Sequence, residues 1–307
     1  MQSVIKRTHR TVMLYEVCDF INVNGSGYYA DLTFGEGGHT EELLHRGAKK
    51  VFGIDRDLEA LDLYRGRAEG GLHPNLELIH GKAIDLKQWA SPSSLDGIVV
   101  DLGVSTRQIL HGPRGFSLQN DGPLDMRMDT SSGETLAEIL DRIDPDDLAT
   151  ALSDFGDIKN AQYMANKILS ARQAGDLNST LALAKLSGPR RGRSHPATAL
   201  FMALRILVND ELHQLRDAIP IWIECLKPGG RIAILSFHSS EDRIVKQSLQ
   251  RLAGKCICRV APCVCLPEMK VSRVLKKPMI PSWDERKANR RSRSAKLRCV
   301  EKLSLVD

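Results

Sequence analysis

A strand that runs into a glycine-rich turn and straight out into a helix, Asp31-Leu-Thr-Phe-Gly35-Glu-Gly37-Gly38-His39, constrains this chain more than any other feature. Glycines let a backbone approach a ligand closely, and a helix start offers it free N–H groups. The turn also opens a rhythm. Tyr28–Thr33, Val51–Asp55, Leu76–His80 and Gly97–Leu102 read as strands, with Thr40–Arg46 and Leu58–Ala68 as helices between them. Strands rich in Val and Ile on both faces, separated by helices, imply a parallel sheet covered on both sides.

After about Gln108 the rhythm breaks. Thr135–Leu140, Pro145–Phe155, Ala161–Ala174 and Leu177–Ser187 have helical spacing, and His195–Leu207 and Asp210–Leu226 follow as two more helices. Lys227-Pro-Gly-Gly230 then reads as a helix stop leading into the apolar run Arg231–Phe237. A strand that resumes after so long a helical stretch means insertion within one α/β domain. The expected organisation is a sheet core in 1–107, an inserted all-helical subdomain in 108–200, and the rest of the core with a basic tail in 201–307.

The carboxylates around the glycine turn narrow its ligand. Asp55 closes the second strand eighteen residues after Gly37, where it can hold both hydroxyls of an adenosine ribose. A dinucleotide fingerprint wants a third glycine where Thr40 stands. Asp31, ending the first strand, suits a cationic or amino-bearing group and repels a pyrophosphate. The expectation is a methyl donor, S-adenosylmethionine, rather than a nicotinamide cofactor; an NAD-linked oxidoreductase on the same fold is the rival that Thr40 and Asp31 oppose.

The acceptor is expected at the sheet's carboxyl edge, where Asp101-Leu-Gly-Val-Ser105-Thr-Arg-Gln108 follows the fourth strand. None of the seven cysteines lies in this loop, so the covalent nucleophile that pyrimidine-ring methylation needs is missing there, and attack by an acceptor nitrogen or oxygen is expected. Asp101 and the backbone carbonyls of the loop from Asp101 to Ser105 are candidates for accepting the acceptor's hydrogens; Asp125, Arg127 and His238 are candidates for holding a base or its phosphate. The run Asp121-Gly-Pro-Leu-Asp125-Met-Arg127-Met-Asp129 is rich in Gly and charge, which suggests a functional loop rather than core. His238, after the strand Arg231–Phe237, reads equally as a satisfied buried histidine. Cys256-x-Cys258 and Cys263-x-Cys265 place four thiols in ten residues. Their spacing is tighter than the usual zinc pattern, and with Pro262 and Pro267 they read as an exposed, redox-sensitive loop; no metal is assigned.

Charge supplies the partner class. Lys270–Arg298 carries eleven Lys or Arg against Asp284 and Glu285, a net +9 that leaves −4 on the rest of a chain of +5 overall. Arg190, Arg191 and Arg193 form a second basic cluster. Such segregation suits a polyanion, while the bland alternative is a solvated, poorly packed tail. No run of eighteen apolar residues appears, the basic start lacks a secretory pattern, and the odd cysteine count does not suggest disulfides, so a cytoplasmic protein without membrane contact is expected.

The ordered motifs then resemble the RsmH (MraW) family. They are His9-x-Thr-Val, Asp31-x-Thr-Phe-Gly-x-Gly-Gly-His39, Ile54-Asp-Arg-Asp57, Asp101-Leu-Gly-Val-Ser105, Arg114-Gly-Phe-Ser, Asp121–Asp129, His195-Pro-Ala-Thr198, Val208-Asn-Asp-Glu-Leu, Ser236-Phe-His-Ser-x-Glu-Asp-Arg243 and Arg293-Ser-Ala-Lys-Leu-Arg298. The resemblance implies a Rossmann-like class I methyltransferase fold and methylation of the N4 amine of a cytidine in the decoding region of bacterial 16S ribosomal RNA. The substrate is then RNA, within the small ribosomal subunit or free, and a homodimer is compatible with it. It places cofactor contacts at Gly37, Gly38, His39, Asp55, Ala83, Asp101 and Gln108. Ala83 departs from the family's frequent aromatic, Thr106-Arg107 from its Ser-Pro, Ala199 and Met202 from its Arg and Gln, and Arg291 from its Pro. Ala83 is the one feature that favours a second rival, an RNA-binding assembly factor without transferase activity.

Overall fold

The computed structural model describes residues 10–68, 70–188, 196–258, 263–265 and 267–304. His9, the cluster Arg190, Arg191 and Arg193, and His195 lie outside the described residues. The chain forms two compact units, one from Met1–Gly103 with Leu212–Asp307 and one from Val104–Glu211.

The first unit begins with α1 (Leu14–Ile21), β1 (Tyr28–Asp31), α2 (Gly38–His45), β2 (Lys50–Asp55), α3 (Leu58–Arg67), β3 (Leu76–His80) and β4 (Leu95–Asp101). The second unit holds α4 (Thr106–Leu110), α5 (Leu136–Arg142), α6 (Pro145–Gly156), α7 (Ala161–Gln173), α8 (Thr180–Leu186) and α9 (Ala197–Asn209). The chain returns through α10 (Glu211–Cys225) to β5 (Leu226–Ser236), α11 (Ser239–Leu252), β6 (Val271–Arg273), α12 (Trp283–Ala288) and β7 (Lys296–Lys302).

One seven-stranded sheet in the order β3-β2-β1-β4-β5-β7-β6 organises the first unit. β3, β2, β1, β4 and β5 are parallel, and β7 joins β5 antiparallel with β6 beyond it. This is the expected doubly wound α/β sheet. Ile98, Val99 and Val100 of β4 and Ile232, Ala233, Ile234 and Leu235 of β5 are all buried, as strands covered on both faces must be. Each of the larger aliphatic side chains contributes roughly 1.5–3 kcal/mol of burial. The Lys227–Gly230 turn lies inside β5: Leu226 pairs with Leu95 and Arg231 with Gly97, and the residues between form an excursion around Gly229 at φ +78°.

The poorly packed tail is corrected by β7. Leu297, Cys299 and Val300 are buried in the sheet, and Lys296 and Arg298 pair with Asp242 of α11 at 2.9 and 2.8 Å. The two cations meet a carboxylate at the sheet, so neither is left there without a counter-charge. Burial would raise the pKa of Asp242, but its Arg298 and Lys296 partners lower it.

The second unit is all helical among its described residues. Side-chain caps start four of its helices: Ser105 for α4, Thr135 for α5, Asp144 for α6 and Ser179 for α8. Its core draws Leu136 and Leu140 from α5, Leu148 and Leu152 from α6, Ile168 from α7 and Leu200, Phe201 and Leu204 from α9. Its bounds run beyond the expected 108–200 window, because α9 buries its apolar face in this core.

Candidate functional site

In the order β3-β2-β1-β4-β5 the direction of winding reverses between β1 and β4, and the carboxyl ends at such a reversal are where open α/β sheets bind ligands. Three aspartates end the strands at that place: Asp31 on β1, Asp55 on β2 and Asp101 on β4. Asp31 is level with Gly53 of β2 and Val99 of β4, so Asp55 and Asp101 stand two residues beyond it on either side.

Each carboxylate is held differently. Asp31 is 1% exposed; it accepts the Thr40 hydroxyl at 2.9 Å and the Thr33 N–H at 3.3 Å. Thr40, which stands in the sequence where a dinucleotide fingerprint would have glycine, is therefore the partner that lets a carboxylate be buried here. Burial still pushes Asp31 up to about 6, against the pull of those hydrogen bonds. Asp55 accepts the Gly35 N–H at 2.7 Å and the Asp57 N–H at 2.8 Å, which ties the glycine turn to the end of β2, and burial raises it to about 6 as well. Asp101 has its own N–H held by the Thr33 hydroxyl oxygen at 2.6 Å. Its Oδ1 is sealed from solvent and meets no hydrogen-bond partner among the described residues. Burial, then the negative charges of Asp31 and Glu241, push this carboxyl up to about 8.

The turn between Asp31 and α2 is shaped for close approach. Gly37 has φ +80°, and a Cβ there would lie 2.6 Å from the Tyr64 ring and 2.9 Å from the Phe34 ring. Those rings meet edge to face at 4.8 Å and form the floor of the turn. A Cβ on Gly35 would meet only the Thr33 carbonyl, at 3.8 Å, so glycine keeps the space beside the turn open. Gly38 and His39 begin α2 and are buried. Ala83 opens the short 3₁₀ turn Ala83–Gln88, and its carbonyl accepts the Trp222 Nε1–H at 2.8 Å. The neighbouring Gly81 N–H donates to the Asp55 carbonyl at 2.9 Å, which brings this turn to the end of β2. His238 caps α11: its Nδ1 accepts the Glu241 N–H at 3.4 Å and its Nε2 lies 2.9 Å from Glu241 Oε1. Glu241 Oε2 in turn accepts the Phe237 N–H at 2.8 Å, so the imidazole is fixed at the end of β5.

The remaining candidates belong to the second unit. Ser105 and Gln108 form a capping box, each accepting the other's backbone N–H, at 3.1 and 2.9 Å. Arg127 grips Asp125 through two parallel bonds of 2.9 Å and also donates to the Gly133 carbonyl. Burial would raise Asp125, but the Arg127 guanidinium beside it lowers it below the ordinary carboxylate range. The run that reads from sequence as non-core is in fact core on alternate residues: Leu124, Met126 and Met128 are buried. Met126 takes φ +60°, a strained conformation for a side chain of this type. The structure holds it there with Arg114, which donates to the Arg127 and Met128 carbonyls, and with Asn209, which bonds Met126 and Met128.

Sequence reasoning missed Thr33 and Glu241, and it read Thr40 only as the break in a dinucleotide fingerprint; all three act by holding a named candidate. The residues present at the sheet edge fit S-adenosylmethionine. Glycines at positive φ at 35 and 37 keep the turn free of side chains, each Asp55 oxygen keeps a lone pair beyond its one backbone bond, and the negative charge gathered at Asp31 and Asp101 suits a cationic donor.

The model of the MraW methylase family matches residues 6–303. A ribosomal RNA small subunit methyltransferase H of Carboxydothermus hydrogenoformans is 36% identical, over 97% of this chain and 99% of that protein. The protein of the same name from Trichlorobacter lovleyi is 40% identical, over 96% and 98%, and that from Halothermothrix orenii 38% identical, over 96% and 98%. The sheet is thus that of a Rossmann-like methyltransferase using S-adenosylmethionine, and the chain belongs to the MraW methylase family.

Proposed function

We propose that this chain transfers the methyl group of S-adenosylmethionine to the exocyclic N4 of cytidine 1402, in conventional ribosomal RNA numbering, in the decoding region of bacterial 16S ribosomal RNA. The observation that carries methyl transfer is the set of three buried carboxylates around the glycine turn, with Asp101 Oδ1 unpartnered. A positive sulfonium relieves that accumulation of negative charge, whereas a pyrophosphate would add to it. The names of relatives that match nearly end to end support small-subunit ribosomal RNA as acceptor.

S-adenosylmethionine, when bound, supplies an electrophilic methyl on a positively charged sulfur. The cytosine amine is a weak nucleophile because its lone pair is delocalised into the ring. Positioning is therefore the main source of rate, worth up to about 7–11 kcal/mol. Methyl transfer to this amine would require one N4 hydrogen to leave as a proton, to a group that this chain supplies. Asp101, at the carboxyl end of β4, is the group assigned to accept a hydrogen bond from that amine, which localises the lone pair, and to take up the proton. Asp31 keeps the local field negative while Thr40 satisfies it.

RNA affinity comes from the exposed cations Arg273, Lys276, Lys277, Lys287, Arg290 and Arg293 of the first unit. Among them Trp283 is 65% exposed, a surface on which an unstacked base can lie. In the second unit the Asp125–Arg127 fork presents a rigid guanidinium to a base or phosphate.

Incubation with labelled S-adenosylmethionine, small ribosomal subunits or naked 16S RNA, followed by nucleoside analysis, tests the reading. Label in N4-methylcytidine is expected. Label only in another nucleoside or in protein contradicts it, and RNA binding without any label favours an assembly factor instead.

A further inference from the structure

Between α11 and β6 the chain makes a loop with no apolar core among its described residues. Its base is pinned by an isolated bridge between Ala253 and Met269 and by the Lys270 N–H, which donates to the Leu252 carbonyl at 2.7 Å. Toward its tip Val264 is 93% exposed, so burial of side chains does not hold it together. Yet the Sγ atoms of Cys256, Cys258, Cys263 and Cys265 all lie within 4.8 Å of one another. Cys256 and Cys263 are 3.5 Å apart, sulfur to sulfur. All four are free thiols, and that separation is far beyond a disulfide's.

Four sulfurs around one point, without apolar packing to collect them, have the dimensions of a coordination sphere. A tetrahedron with metal–sulfur bonds near 2.3 Å has sulfur–sulfur edges of about 3.8 Å. The two C-x-C pairs supply two ligands each, and the Cys265 N–H donates to Cys263 Sγ at 3.4 Å, the kind of outer bond that orients a coordinating thiolate. The donor set is all sulfur, which selects a soft or borderline cation over magnesium or calcium. Four protein ligands also leave no open position, so the site is structural.

We propose that Cys256, Cys258, Cys263 and Cys265 bind one zinc ion, which holds together a loop that has no apolar core among its described residues. Each thiol gives up its proton as it ligates, so loading releases protons to solvent and involves no electron transfer. The site is separate from the carboxylate edge that carries the methyl donor, and the proposal stands whether or not the RNA assignment holds.

Elemental analysis of untagged protein, purified under reducing conditions without added metal, tests it. About one zinc per chain is expected, with a drop of roughly tenfold or more in a Cys263→Ser/Cys265→Ser variant. In case that variant misfolds, the wild-type protein can be titrated with a thiol-modifying mercurial while released zinc is read with a chromogenic chelator. Release in step with modification of the accessible thiols is expected, as are thiolate-to-cobalt charge-transfer bands after cobalt exchange. Protein that holds no zinc, holds iron instead, or contains disulfides among these four cysteines overturns the proposal. So does zinc whose release is indifferent to thiol modification.

Discussion

Asp101 is where the chemistry is most exposed to test at the level of single residues. Asp101→Asn removes a charge and an acceptor but keeps the shape, and at saturating donor it is expected to slow methyl transfer by roughly a hundredfold or more. Single-turnover rates with labelled donor check this. Thr40 acts one step behind. Thr40→Val leaves Asp31 without its hydroxyl partner, and a buried acceptor left short of a bond costs about 1–3 kcal/mol. A lower midpoint in urea unfolding, with the slope unchanged, is the expected result; an unchanged midpoint would mean Thr40 does not support Asp31. The carboxylates and glycines of this site were legible in the sequence because they close strands and open a helix at fixed offsets. Thr33 and Glu241 were not, since each acts through hydrogen bonds whose partners only the fold brings near.

At the level of elements, the parallel strands announced themselves as apolar runs bounded by turns, and the helices of the second unit by their spacing and caps. β7 did not. Its sequence Lys296-Leu-Arg-Cys-Val-Glu-Lys302 alternates, but its charged residues made it part of a basic tail. The pairing of Lys296 and Arg298 with Asp242 gives those partly exposed charges a counter-charge at the sheet. Asp242→Ala removes the counter-charge of both partly buried cations and is expected to destabilise the first unit by about 1–2 kcal/mol, between the values for exposed and buried pairs. Thermal unfolding and amide exchange of β7 read it out; unchanged protection of β7 would contradict it. The surface around α12 belongs to the same stretch. Replacing Arg290 and Arg293 by Ala is expected to weaken RNA binding and to reduce the slope of log affinity against log salt by about 1–2. An unchanged slope would remove these two from the RNA-binding surface.

For the whole molecule the three raised carboxyls set a pH dependence. Their folded pKa values lie above the ordinary aspartate value of 3.8, at about 6 for Asp31 and Asp55 and about 8 for Asp101. A raised carboxyl favours the folded state while protonated. The stability of the ligand-free protein is therefore highest near pH 4 as far as these groups decide it, and falls as pH rises from there through 6 and on to 8. A tenfold change in proton affinity corresponds to about 1.4 kcal/mol, so the decline is on the order of several kcal/mol. A cationic donor reverses the sign locally, because it stabilises the ionised forms. Its affinity is expected to rise with pH up to about 8, and its binding at neutral pH to release protons, measurable by calorimetry in buffers of different ionisation enthalpy. Proton uptake on binding would contradict this electrostatic picture.

The function proposed for the carboxylate edge comes down to one event, transfer of a methyl group to a single cytosine amine of small-subunit ribosomal RNA. The decisive measurement is mass-spectrometric mapping of the RNA after a single turnover, with wild-type protein and Asp101→Asn side by side. One new methyl group is expected, on N4 of cytidine 1402, formed rapidly by the wild type and far more slowly by the variant. Equal rates for the two proteins, or a methyl group at any other position, would contradict it.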